Sequence, residues 1–274
     1  MATQLGERVT DAYFFRTNPI IRKLSMVEDT DAENSCTYAG IGTKLLYFMA
    51  MVIVGVALEM LLKTKLGGQV IEAEGFRMTS GEIIVLVIAA ISLILSPILA
   101  MLIKVTIPVT GALFSLSTGY VITWAGTTFG KEYSSSIILA IVLTAIVVTV
   151  LGLLYFTGKV HVTQKFRTVL TTLIISSFCG GLLVLIFALI PGTRPIVTSL
   201  KANMVINIGG SIIYVVIASL FLLVDFDTIR RTVEDGLPKK YEWWASFGLA
   251  FSVIWLFFKI LELISKVKGS KSNN

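Results

Sequence analysis

Charge is scarce in this chain. Only 15% of its 274 residues are Asp, Glu, Lys or Arg and 55% are hydrophobic, whereas a soluble domain carries roughly 25% charged residues. With a mean hydropathy of +0.86, the composition excludes an ordinary soluble fold and reads as an integral membrane protein. The two cysteines, Cys36 and Cys179, lie in a polar stretch and an apolar span, and they exclude a disulfide framework. The single histidine, His161, has no His-Glu-x-x-His partner and no cysteine–histidine ligand set around it, which argues against zinc. There is no Gly-x-Ser-x-Gly elbow. Gly40-Ile41-Gly42-Thr43-Lys44 lacks the Walker spacing and a preceding strand, so it does not read as a phosphate loop. These absences point away from an enzyme and from any cofactor. The formal charge of +6 does not imply nucleic acid, because the basic residues flank apolar segments, where they set topology and touch phospholipid. Residues 1–42 have no short apolar core ahead of a small-residue cleavage site, so they read as a polar tail without a signal peptide.

What is abundant is hydrocarbon in long runs. Crossing roughly 30 Å of bilayer takes about 20 apolar residues, and seven segments qualify: 44–62, 82–103, 107–125, 135–156, 168–190, 203–224 and 243–264. The expectation is an all-α, polytopic membrane bundle of seven transmembrane helices over residues 43–265. A polar tail, 1–42, precedes it and a short basic tail, 266–274, read as disordered, follows. The second and third spans form one apolar block broken by Lys104, which must fold back near Lys104 and Pro108. Pro97 is expected to kink the second helix. Thr79-Ser80-Gly81-Glu82 has the spacing of a capping box. Pro191-Gly192 and Gly236-Leu237-Pro238 are expected to end helices. Gly111, Ser115 and Gly119 recur every fourth residue, a stripe that lets a neighbouring helix approach closely. Lysine and arginine placement favours a cytoplasmic N-terminus. A last segment that re-enters rather than spans would put both termini on that side.

The acidic run Val224-Asp225-Phe226-Asp227-Thr228-Ile229 closes the sixth span. Carboxylates at the edge of an apolar helix either anchor it at the headgroups or line a path for ions or protons. Asp225 and Asp227 point about 200° apart on a helix, so both cannot face one path. Asp227 has Arg230 and Arg231 at i+3 and i+4 as ion-pair candidates. Asp225 has no local basic partner, and burial would make it sensitive to pH through desolvation. Glu59 with Lys63, and Lys259 with Glu262, read as helical ion pairs. Tyr241, Trp243 and Trp244 read as an interfacial aromatic belt, and His161 as a solvated loop residue.

The run from Val224 to Ile229 is followed by Gly236-Leu237-Pro238, Glu242-Trp243-Trp244-Ala245-Ser246-Phe247-Gly248-Leu249, Val253-Ile254-Trp255-Leu256 and Ile260-Leu261-Glu262-Leu263. Together they resemble the C-terminal signature of the bacterial YccA-like branch of the Bax inhibitor-1 family. Upstream, Thr17-Asn18-Pro19, Thr37-Tyr38 with Gly40, Leu154-Tyr155-Phe156-Thr157-Gly158 and Val162-Thr163-Gln164-Lys165-Phe166-Arg167 extend the likeness over nearly the whole chain. The resemblance implies a seven-helix bundle with the last helix central, in a bacterial plasma membrane. It also implies a pH-sensitive calcium or cation leak, closed by an aspartate pair from the sixth and seventh helices. Asp227 matches the first of that pair and Ser252 the second. Thr118 and Ala39 stand where the branch often carries acids. Asp227, Asp225 and Ser252 are therefore the candidate ion path or pH sensor, with Arg230 and Arg231 as latch partners and metal ligands left open. The alternative is a non-transporting regulator that binds another membrane protein, such as a quality-control protease.

Overall fold

The computed structural model describes residues 34–65, 70–73, 76–190, 193 and 204–272. Expectations for residues 1–33 and for Pro191-Gly192 lie outside these. Among the described residues the helices are α1 (Tyr38–Lys65), α2 (Ser80–Leu102), α3 (Ile107–Thr128), α4 (Lys131–Phe156), α5 (Gln164–Leu189), α6 (Met204–Glu234) and α7 (Lys240–Ser272). Six of them are long and apolar enough to cross a membrane. The expected bundle is present, and a short antiparallel hairpin, β1 (Val70–Ala73) with β2 (Phe76–Thr79), leads into α2. The capping box is closed: the Thr79 amide donates to Glu82 Oε2 at 2.8 Å and the Glu82 amide to Thr79 Oγ1 at 3.3 Å. Pro97 sits inside α2, which continues through it. A 3₁₀ turn at Lys104–Thr106 makes the expected reversal, with Pro108 in the first turn of α3.

Three boundaries differ most from the hydropathy reading, each because polar side chains carry a helix past its apolar core. α1 starts at Tyr38 rather than after residue 42, because Thr37 Oγ1 accepts the Gly40 amide at 2.9 Å and caps the helix. α6 continues ten residues beyond Val224, through charges that find partners. α7 reaches Ser272, so residues 266–272 are helical rather than a disordered tail. There Lys259 and Lys266 straddle Glu262 at 2.9 and 2.7 Å, which bears out the Lys259–Glu262 pairing. Lys268 Nζ reaches Ser136 Oγ at 2.9 Å, and Lys266 Nζ reaches Ser211 Oγ at 2.7 Å. Those serines lie where α4 and α6 begin, while Lys240 lies where α6 has just ended. The last helix therefore traverses the bundle from end to end instead of re-entering.

α7 packs against α1, α3, α4 and α6, which makes it the central helix. One face joins Leu222, Phe226, Ala140 and Tyr155 through Leu249, Leu256 and Phe257. Its other face enters an aromatic cluster in which Phe247 meets Phe48 and Phe114 at 5.7 and 5.9 Å between ring centres. Trp243 belongs to this cluster, edge-on to Phe48 at 5.9 Å, whereas Trp244 is exposed and remains at the interface. On the outer faces of α2 and α4, Ile88, Ile91, Ile94, Ile138, Ile141 and Ile146 are exposed, as lipid contact requires.

α1 and α3 cross at backbone distance. A Cβ on Gly119 would lie 2.0 Å from the Val52 carbonyl oxygen, and one on Gly55 would lie 2.0 Å from that of Leu116. The small-residue stripe thus brings these two helices together, and Gly55 is the complementary notch. A second tie joins the start of α1 to the α6–α7 turn, where Gly236 takes φ +61°. The Cys36 amide donates to Leu237 O at 2.7 Å, and the Lys239 amide to Asn34 O at 2.9 Å. Glu242, 1% exposed, accepts from the Thr37 amide at 3.0 Å and pairs with Lys44. Lys44 is thereby spent on structure, and its segment is helix, which disposes of the phosphate-loop resemblance. The end of the bundle that holds this tie, the inner end, also carries Lys104, Lys159, Arg167, Arg230 and Lys240, the basic set on which the expectation of a cytoplasmic N-terminus rests.

Gly119→Val forces a side chain into the Val52 backbone and is expected to cost on the order of 3 kcal/mol. Gly42→Ala, whose Cβ meets nothing within 4 Å, shifts stability by less than about 1 kcal/mol. Thermal unfolding in detergent micelles compares the two. Burial pushes the Cys36 thiol up to about 11, and the neighbouring Glu242 carboxylate adds to the effect. Because the thiolate is the reactive form, Cys36 should resist maleimide at pH 7 in the folded protein and label only after denaturation.

Candidate functional site at the inner end of the bundle

Asp227 is 6% exposed and is held by donors from three helices. Tyr155, the penultimate residue of α4, donates its hydroxyl to Oδ1 at 2.9 Å. Arg167, in the first turn of α5, donates Nε to Oδ2 at 3.1 Å and also brings its Nη2 onto that oxygen. Arg231, one turn along α6, donates Nε to Oδ2 at 2.9 Å. Local sequence sets these positions. Thr163 caps α5 by accepting the Phe166 amide at 3.2 Å, which fixes where Arg167 emerges. Phe226 stacks on the Tyr155 ring with centroids 6.2 Å apart, which holds the phenol over the carboxylate. A cleft of about 340 Å³ opens beside this cluster, lined by His161, Arg230, Glu234 and Asp235 together with Tyr155, Asp227 and Arg231. His161 thus lines the cleft.

Asp225 faces the other way, as the helical spacing required. A Cβ on Gly248 of α7 would lie 3.7 Å from its Oδ1, and the groups that act on the carboxylate are the Ser252 hydroxyl and, through space, Arg167. Ser252 is fully buried. Ser252 Oγ and Asp225 Oδ2 are nonetheless both buried without a hydrogen-bond partner. The central helix therefore meets α6 at a buried carboxylate and a buried hydroxyl whose bonding capacity is unspent.

Two sequence-level expectations need correction. Arg230 is not bound to Asp227 but forms an exposed pair with Glu234 at 2.7 Å, because at i+3 it emerges on the solvent side of α6. Ser252 faces Asp225 rather than Asp227, because Asp227 turns toward α4 and α5. The reading of Glu59 changes too: no ion pair with Lys63 forms among the described residues, and Glu59 is buried against α3. Arg167 and Tyr155 were not among the expected site residues. Each lay in a stretch quoted for its family likeness, and a basic residue just after a helix cap beside an acidic helix end was the available signal. Among the described residues, no three His, Cys, Asp or Glu side chains converge as a metal cage.

An all-α bundle of membrane-spanning helices with paired and unpaired carboxylates at one end of its central helices defines a class, the polytopic membrane proteins. Within it, a family model described as Bax inhibitor 1 like matches residues 18–269, and the chain belongs to this family. No curated protein and no solved structure matches it.

Removing one partner of a buried ion pair leaves the other charge stranded. Arg167→Ala is therefore expected to destabilise the protein by on the order of 3 kcal/mol. Arg231→Ala, whose side chain is 53% exposed, should cost under about 1 kcal/mol, and Tyr155→Phe about 1.5 kcal/mol. Thermal unfolding of the three variants in one detergent tests this ranking.

Proposed function

We propose that the protein is a passive, pH-responsive leak for calcium or protons, not an enzyme, in the bacterial plasma membrane that the YccA-like resemblance implies. The observation that carries the reading is the unspent Asp225 carboxylate between α6 and the central α7, two residues inside the Asp227 cluster. In this reading Asp225 and Ser252 are the polar step of the path, and Asp227 is the latch that keeps its inner end shut. While Asp227 is charged, it ties Arg167 and Arg231 to one carboxylate and holds α4, α5 and α6 together. Protonation removes that charge and leaves two guanidiniums side by side with no counterion, which drives α5 away from α6. The cleft at His161 then becomes the inner mouth. Oxygen donors suit calcium, but the one carboxylate and the hydroxyl on this step fall far short of the six to eight ligands of a holding site. A site this sparse suits passage better than storage.

Calcium flux into proteoliposomes between pH 8 and pH 3 tests the proposal. Flux should stay low through the neutral range and rise only in acid below the range of ordinary carboxylates, because two guanidiniums and a phenol bind Asp227 in its charged form. Asp227→Asn should fix it near the acidic value at every pH, a change of about tenfold at pH 8 if the latch is worth ~1.4 kcal/mol. Asp225→Asn should lower flux at every pH. Wild-type flux at the empty-liposome level throughout would sink the leak and favour the regulator that binds another membrane protein.

A further inference from the structure

A basic and aromatic patch at the inner end of the bundle takes no part in the Asp227 cluster. The α2–α3 reversal brings Lys104 to the start of α7, where its Nζ lies 5.3 Å from the centre of the Trp244 ring and 6.0 Å from that of Tyr241. Lys240 Nζ, from α7 itself, lies 5.5 Å from the same Tyr241 ring. Two ammonium groups from distant parts of the chain thus converge on one phenol. Among the described residues neither lysine has a carboxylate in ion-pair range. The nearest acid along α7, Glu242, is already taken by Lys44 and the Thr37 amide. Both lysines and Trp244 are exposed. Leu102 and Val105, on either side of Lys104 in the chain, are 74% and 89% exposed, so the charges are flanked by bare hydrocarbon.

Two positive charges seated on aromatic rings with no acid between them favour an anion. The ring contacts hold the ammonium groups in place before anything binds, which lowers the ordering cost of binding. The surroundings decide which anion: its ligand must present hydrocarbon to Leu102 and Val105 as well as negative charge to the lysines, and basic residues gathered between helix ends at a membrane surface hold anionic headgroups. We infer that Lys104, Lys240, Tyr241 and Trp244 form a binding site for the phosphodiester headgroup of an anionic phospholipid, whose acyl chains run past Leu102 and Val105. The phenol and the indole N–H each add a hydrogen-bond donor for the phosphate oxygens. A zwitterionic lipid brings its own cation toward the lysines and is disfavoured. The bound lipid ties the α2–α3 reversal to the start of the central helix. The assignment invokes neither Asp225 nor Asp227 and is independent of the leak reading.

Purified full-length protein in detergent micelles is titrated with phosphatidylglycerol or with phosphatidylcholine, and native mass spectrometry counts the lipids that stay bound. The wild type should bind phosphatidylglycerol saturably and about tenfold more tightly than phosphatidylcholine, a difference of ~1.4 kcal/mol. Excess inorganic phosphate should not displace it. Lys104→Gln combined with Lys240→Gln should abolish the preference. Lys63→Gln combined with Lys65→Gln, which removes the same charge from the last turn of α1 at the outer end, should keep it. Should the first double variant fail to fold, Trp244→Leu decides, because that exposed ring can be removed without opening the core; it should weaken the preference by roughly threefold. The assignment is overturned by equal affinity for the two lipids, by a preference that survives in the folded variant, by an equal loss in the outer-end control, or by displacement with inorganic phosphate. No flux is measured, so a failed leak leaves this outcome intact.

Discussion

The ion pair between Asp227 and Arg167 organises the inner end of the bundle. A carboxylate on α6 at the membrane edge is tolerated only if opposite charge and hydrogen-bond donors surround it. Those donors come from α4, α5 and α6, so satisfying one side chain fixes the relative placement of three helices. α5 has little else to hold it, since α6 is the neighbour it packs against most. The same logic repeats across the molecule. Glu242 gathers Lys44 and the Thr37 amide and thereby pins the start of α1 to the start of α7. At the far end of α7, Glu262 gathers Lys259 and Lys266 of its own helix, and Lys266 also reaches Ser211 of α6.

Between these charged ends the bundle is held by shape. Lipid chains are as apolar as leucine, so burying hydrocarbon does not by itself draw helices together in a membrane. Close packing must do so, and the Gly55–Gly119 crossing, with backbones separated by less than a side chain, is the tightest case. α7 lies where two packed clusters meet, one aromatic and one largely aliphatic. A helix fixed on both sides cannot move without disturbing both clusters. Asp225 and Ser252 sit on this seam, and among the described residues their unspent polar atoms are two of the four buried side-chain oxygens without a hydrogen-bond partner, the others belonging to Glu59 and Ser115.

Much of this was legible beforehand. Hydropathy placed all seven helices, because spanning a fixed thickness of hydrocarbon demands a fixed length of apolar chain. The capping box at Thr79, the reversal at Lys104 and the close-packing stripe on α3 were visible because each depends on residues near one another in sequence. The opposed directions of Asp225 and Asp227 followed from the helical repeat alone. Helix ends were less legible: hydropathy stops where charge begins, yet α6 and α7 run on because their charges are paired.

Pairing between distant elements was decided by tertiary structure. Arg230 and Arg231 are equally good local partners for Asp227 on paper, and only the direction in which α6 faces α4 and α5 selects Arg231 and recruits Arg167 from 60 residues away. Glu59 looked like half of a local ion pair until α3 covered it. Sequence alone determined the solvent, the succession of long helices and the family, because these depend on composition, segment length and local motifs. Which carboxylates are neutralised and which stay unspent was settled only by the packing of helices far apart in the chain. A charge buried in a membrane takes whatever partner the fold brings to it.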